Sequence, residues 1–312
     1  MRRVLERLLG ATLAIAGAVT LVFFTLRATP GDPADNILGD EAPPAAKQAF
    51  RDRLHLDEPL FDQYGHLWND ILDGSLGHSY GISDRDETVA EVIGDVLPAT
   101  IELALAAMLV ALLIALPVGI LAALNQGRLI DQLSMLAAMV GVAVPVFWLG
   151  PMLLFLLSVK IQLLPDPGAP LRGPWPLLLP AMVLGLALSA KLTRMVRASV
   201  LDVLREDYVT TARAKGLPEW RVVGKHVLRN ALVPVLTVAG LQMAALLSGA
   251  IVTEKVFARP GIGTLLLDAI VKRDYAVVQG CVISVAVGYV LVNLLVDLLY
   301  IAIDPRVRRA HS

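Results

Sequence analysis

Few residues in this 312-residue chain are placed to do covalent chemistry. The one cysteine, Cys281, lies inside an apolar block, and a single cysteine makes neither an intrachain disulfide nor a thiolate cluster. The five histidines, His55, His66, His78, His226 and His311, include no pair at i, i+4 on an expected helix. A dedicated metal site is therefore not expected. No nucleophile, base and orienting group converge, so catalysis by this chain is not expected either. A phosphate-gripping G-x-x-x-x-G-K-[ST] loop is missing, because the nearest fragment, Gly224-Lys225-His226, lacks the first glycine and the hydroxyl residue. The densest polar chemistry is instead EDYVTTARAKGLP at residues 206–218, acidic, basic and hydroxyl side chains ending on Gly216 and Pro218. Such a mixture suits contact with another protein better than attack on a substrate bond.

The elements that must position this stretch are apolar. Hydrophobic residues make up 56% of the chain and charged residues 18%, in long blocks that mark an integral membrane protein. Six blocks, near 8–26, 99–124, 132–159, 175–196, 232–253 and 278–303, are long enough to cross about 30 Å of hydrocarbon. The first is too long for a signal-peptide h-region and no small-x-small site follows it, so it is expected to remain as a span. With six spans both termini share a side, and 16 of the 27 Lys and Arg lie there. That excess makes the side cytoplasmic. Net charge is −1, which gives no sign of a nucleic-acid partner.

Residues 28–98 carry fifteen Asp or Glu against four Lys or Arg, and are expected outside. Two proline-opened amphipathic helices, the second closing on Gly74, are expected to form a small helical cap with Phe50, Leu54, Leu56, Phe61, Tyr64, Leu67, Trp68 and Ile71 as its core. The chain thus divides into a tail and first span (1–27), an acidic cap (28–98), and a transmembrane domain (99–312) holding the polar segment 200–231. Pro117 with Gly119, Pro145 with Pro151, and Pro180 with Gly185 interrupt the spans and favour bent helices around a pathway.

Between Val200 and Lys215, Leu201, Leu204, Tyr208 and Ala212 draw one stripe along an expected amphipathic helix. Gly216 falls where a left-handed residue stops that helix, and Leu217-Pro218 prevents its resumption. A second short helix is expected from Pro218 to Asn230, before Pro234 opens the next span. The polar face mixes Asp202, Glu206 and Asp207 with Arg205, Arg213 and Lys215, whereas a helix lying on anionic lipid is more purely basic.

Nine ordered motifs span nearly the whole chain: PGDP at 30–33, LDEPL at 56–60 followed by Gln63-Tyr64, DGSLG at 73–77, LPAT at 97–100, EDYVTTARAKGL at 206–217, HVLRNALVP at 226–234, EKVFARPGIG at 254–263, RDY at 273–275 and VDLLYIAIDPRVRR at 296–309. In this set the chain resembles the membrane permease subunits of ABC importers of the dipeptide, oligopeptide and nickel type. The resemblance implies an all-α type I ABC importer permease with six transmembrane helices and a helical extracytoplasmic cap, in a bacterial inner membrane. It also implies a second, homologous permease, two cytoplasmic ATPase subunits that bind the ATP and Mg, and an extracytoplasmic solute-binding protein; no cofactor belongs to this chain.

In such permeases the polar segment is the coupling helix, which seats in a cleft of the ATPase. The resemblance assigns that role to Asp207, Tyr208, Thr211, Ala212, Arg213, Ala214, Lys215, Gly216 and Leu217. Aligned on Gly216, the family's usual Glu-Ala-Ala becomes Thr210-Thr211-Ala212. Glu254, with Pro260, Gly261 and Gly263, resembles an outer gate region. Asp297, in the last span, is expected to face protein and to pair with Asn293 or a neighbouring basic residue. Peptides are the first-choice substrate, with nickel or metal chelates and glutathione as alternatives. An ion-coupled secondary transporter is the rival class, and a membrane anchor the third.

Overall fold

The computed structural model describes residues 2–39, 41–82, 87–163 and 175–303. Among these residues there is no strand, and the one extended pairing is an isolated bridge between His78 and Thr88. Two compact units are built from discontinuous chain: residues 1–100 with 260–290, and 101–259 with 291–312. The boundary at residues 98 and 99 suggested by sequence falls inside one unbroken helix. Among the described residues five helices are long and apolar enough to cross a membrane, and a bent pair makes a sixth span when its halves are taken together.

The first unit opens with α1 (Arg2–Ala28), followed by α2 (Pro33–Leu38), α3 (Pro44–Arg53) and α4 (Leu60–Leu72). Prolines start all three short helices, where a missing N–H costs nothing. The Asp32 side chain caps α2 by accepting from Ala34 N at 2.8 Å and also accepts from Arg51 Nε at 2.7 Å. Helix α4 ends at Leu72, and Gly74 takes φ +83° just beyond it. The cap has no separate core: Leu67 packs with Val19 and Phe23 of α1 and with Ile283, while Phe61 is 82% exposed. Phe61 therefore belongs to the surface, contrary to the sequence expectation.

The unit is completed by the start of α5 (Val89–Leu124), by α13 (Ile262–Lys272) and by the start of α14 (Tyr275–Ile303). Asp274, fully buried, opens α14 and gathers donors from a segment nearly 200 positions earlier. Its Oδ2 accepts from Ser79 Oγ at 2.9 Å and from the N–H groups of Tyr80, Gly81 and Ile82 at 3.0, 2.9 and 3.3 Å. Its Oδ1 accepts from Val277 N at 3.2 Å. Burial pushes the neighbouring Tyr80 phenol up, so it stays protonated, and its oxygen accepts from Tyr275 N at 2.6 Å.

The second unit contains the rest of α5, then α6 (Leu129–Ala143), α7 (Val146–Leu154) with a π-helical continuation Phe155–Lys160, α8 (Trp175–Leu204), α9 (Asp207–Ala214), α10 (Glu219–Arg221) with a π-helical continuation Val222–Val227, α11 (Leu228–Gly249), α12 (Ile251–Val256) and the end of α14. The expected span 132–159 is two pieces bent by 99°. Val144 is extended because Pro145 Cδ excludes the helical region for the residue before it. Pro117 and Pro180 do not break their helices. Gly119 and Gly185 serve close packing instead: a Cβ on Gly119 would lie 2.7 Å from Val196, and one on Gly185 would lie 2.6 Å from Val110. Ala104, Ala107, Ala111 and Ala115, three and four apart, line the same face of α5.

Asp274→Ala strips the acceptor from several buried or half-buried donors, each costing about 1–3 kcal/mol when left unsatisfied. Its expected result is a marked fall in the unfolding temperature of the purified protein, whereas Asp274→Asn, which keeps one acceptor oxygen, falls less; equal melting of Asp274→Ala and the parent would refute this clamp.

Candidate functional site

The polar segment is not one helix from Val200 to Lys215. Helix α8 stops at Leu204, and α9 starts at Asp207 with Glu206 as an extended N-cap. The break rotates the buried stripe: Val209 and Ala212 point inward with Leu201, whereas Tyr208 is turned out and 40% exposed. Tyr208 works as a tie, since its oxygen accepts from Asn230 Nδ2 at 2.7 Å and its hydroxyl donates to His226 O at 3.4 Å.

At the far end Lys215 caps α9, and Gly216 takes φ +75°, the left-handed conformation that lets the chain reverse. Pro218 starts α10, which runs through the π-helical turn into α11. Pro234 lies inside α11 and does not open it. The two arms of the elbow are joined by Arg213 and Glu219, whose side chains form a two-point pair with Nη2 donating at 2.6 Å and Nε at 3.2 Å. Val222, Val223 and Val227 are buried, and Leu217 is half-buried against the same cluster as Val209 and Ala212.

Asp207, Tyr208, Thr211, Arg213, Ala214, Lys215 and Gly216 are exposed, so seven of the nine candidate positions form the elbow's outer surface. Four residues outside that set shape it. Trp220 is 70% exposed with Arg221 stacked over its ring at 5.0 Å; Glu219 closes the ion pair; Asn230 holds Tyr208. A charge pair flanking the Gly216-Leu217-Pro218 turn was the readable signal for Glu219. A lone tryptophan on a polar arm gave none. Beside the elbow is a groove of about 310 Å³ lined by Asn125, Arg128, Leu204, Arg205, Arg213 and Glu219, among others.

The remaining candidates lie elsewhere in the sequence. Glu254 is fully buried on α12 and Asn293 is half-buried on α14; the Asp297 side chain lies outside the described residues. Gly261 and Gly263 are buried and Pro260 is exposed in the first unit, where Thr100 Oγ1 accepts from Ile262 N at 2.9 Å. Glu102 of α5 accepts from Arg259 Nη2 at 2.5 Å.

Among the described residues, helices long and apolar enough to cross a membrane, with a polar elbow exposed between two of them, define a multi-pass membrane protein. The chain belongs to the family of binding-protein-dependent transport system inner membrane components, whose model matches residues 115–309, with the companion N-terminal model matching residues 1–104. It is 42% identical over 306 residues to the glutathione transport system permease protein GsiC of Escherichia coli strain K12, covering 98% of each chain. It is 41% identical to the di/tripeptide transport system permease protein DppB of Pseudomonas aeruginosa strain UCBPP-PA14, covering 97% of this chain and 98% of the relative. Its fold matches that in inward-facing structures of the MetNI methionine ABC transporter, with TM-score 0.56 and 16% identity over 69% of this chain and 97% of that one. The protein is thus a multi-pass inner-membrane permease.

A Cβ on Gly216 meets nothing within 4 Å, so only the backbone resists substitution. Gly216→Ala is expected to keep the elbow at a cost of about 1 kcal/mol, the penalty of the left-handed region for a residue with Cβ. Gly216→Pro, with φ fixed near about −65°, cannot form it. Amide hydrogen exchange over residues 207–221 should accelerate strongly in the proline variant and little in the alanine variant.

Proposed function

We propose that the chain forms half of an inward pathway for short peptides, di- and tripeptides or glutathione, with energy supplied by ATP hydrolysis in separate subunits that grip the elbow. Glutathione is itself a tripeptide bearing free carboxylates, so the two relatives' named substrates fall in one chemical class. The observation that carries the reading is the elbow: an exposed polar surface whose inward residues, Val209, Ala212, Val222 and Val227, are part of the core that includes α5, α8 and α11. Displacing the elbow must therefore displace those helices. Moving a two-state pore from 1:99 to 99:1 takes about 5.5 kcal/mol of differential interaction, and no nucleotide-binding loop in this chain supplies it.

In this reading both termini and the elbow face the cytoplasm, in keeping with the basic residues clustered near them. The partners are a second homologous permease, two ATPase subunits carrying ATP and Mg, and a solute-binding protein that docks at the acidic cap. Trp220 and Arg221 supply an aromatic and cationic anchor of the kind that dominates protein interfaces.

The test is uptake of labelled dipeptide and labelled glutathione into proteoliposomes holding both permeases, the ATPases and the binding protein. Gly216→Pro is expected to lower uptake at least about tenfold while ATP hydrolysis continues, the loss of about 1.4 kcal/mol or more of coupling. A cysteine at Lys215 should cross-link to an ATPase subunit. Uptake by this chain with no ATPase present would overturn the proposal and favour an ion-coupled carrier.

A further inference from the structure

We propose that His55, Glu58 and His66 form a binding site on the cap for one zinc-class divalent cation. His55 and Glu58 lie in the turn between α3 and α4, and His66 lies nearly two turns into α4. The fold brings them together although eleven positions separate the two imidazoles. Glu58 bridges them: its Oε1 lies 2.6 Å from His55 Nδ1 and its Oε2 lies 2.9 Å from His66 Nε2. The rings stack with centroids 4.4 Å apart and planes 21° from parallel, and the ligand atoms all fall within 4.8 Å of one another.

Ligands of a tetrahedral zinc ion sit about 2.0–2.1 Å from the metal and hence about 3.3 Å from each other. Metal entry thus requires each Glu58–imidazole contact to part by less than about 1 Å, while the two imidazole nitrogens, within 4.8 Å of each other, settle at that spacing. Two imidazoles and one carboxylate are the donor set of an open zinc site, with water completing the shell. Imidazole donors disfavour calcium and magnesium, which take oxygen.

Two further observations point to a use for these nitrogens. His55 adopts φ +56°, a conformation a side chain with Cβ occupies at a cost of about 1–2 kcal/mol, and its side chain remains 49% exposed, so burial does not offset that cost. The scaffold beneath is rigid. Buried Gln63, three residues before His66 on α4, donates from Nε2 to Leu56 O at 3.0 Å and Glu58 O at 2.9 Å, and its Oε1 accepts from Arg27 Nε at 2.6 Å. The turn carrying two ligands is thereby fixed to the helix carrying the third, as a preorganised site requires. His55 and His66 also line a cavity of about 400 Å³ whose opening gives an ion access. The surrounding segment, with fifteen acids to four bases, concentrates cations. This site stands independently of the peptide-import reading.

The test is isothermal titration of ZnCl2 into the full-length chain, in its transporter complex in nanodiscs, stripped with chelator and free of a histidine tag. One zinc per chain should bind with Kd on the order of micromolar or tighter. His55→Ala and His66→Ala should each weaken it by at least about 100-fold, more than loss of an outer-shell partner, and His78→Ala should leave it unchanged. Glu58→Gln keeps the shape and one acceptor oxygen of the cluster, and should also weaken zinc while the unfolding temperature is retained, which separates lost ligation from lost folding. Co2+ in place of zinc should give visible absorption of a four-coordinate centre. Zinc bound only at millimolar concentration, or equally by the His55→Ala/His66→Ala double variant, would overturn the site.

Discussion

Helices in hydrocarbon gain little by hiding apolar side chains from one another, so their association depends on how closely their backbones approach. In the second unit that closeness comes from Gly119 against Val196 and Gly185 against Val110, a reciprocal fit of glycine on one helix to valine on the other. The alanine face of α5 extends the contact, and a comparable fit sets Gly240 of α11 against Val296 of α14, where a Cβ would lie 2.1 Å from the valine side chain. Each contact tolerates no added methyl group without a shift. The result is a bundle whose helices move as packed bodies and not as separate rods.

The elbow draws its mechanical meaning from that rigidity. Val209 and Ala212 anchor α9, Val222 and Val227 anchor the return arm, and Tyr208 with Asn230 ties one arm to the other. The exposed pair Arg213–Glu219 adds little stability, since such pairs are worth about 0–1 kcal/mol, but it fixes the angle between the arms. Groups free to meet a partner are thus held on a base that cannot slide. Asp131 reinforces the neighbourhood by accepting two hydrogen bonds from Arg197, joining α6 to α8 close to the same end of the bundle.

Much of this was legible because it follows from one-dimensional signals. Span lengths, the basic clusters, the glycine at the elbow and the proline-opened cap helices each depend on a few adjacent residues. The break at Arg205-Glu206 was not legible, since nothing local there forbids a helix and the stripe Leu201, Leu204, Tyr208, Ala212 reads well as one. Tertiary packing chose Val209 over Tyr208. The prolines show the same limit: Pro145 turns the chain by 99° while Pro180 sits inside a continuous helix, though both lie in apolar runs. The nearness of His55 to His66 was invisible to a search for helical spacing, because it is created by Gln63 binding two carbonyls of the preceding turn.

The cap also shows why a segment with its own charge and helices need not be a domain. Helix α4 buries Gln63 and Leu67, and the partners of Leu67 are Val19, Phe23 and Ile283 from membrane helices. The 79–82 segment is held by Asp274, again from the other end of the chain. Cut free, residues 28–98 would lose the apolar surface and the acceptor that order them, and would keep mainly surface ion pairs such as Lys47–Asp35, which cannot offset the entropy of folding. The acidic surface is therefore placed by the spans, and whatever meets it meets a feature built on α1, α13 and α14.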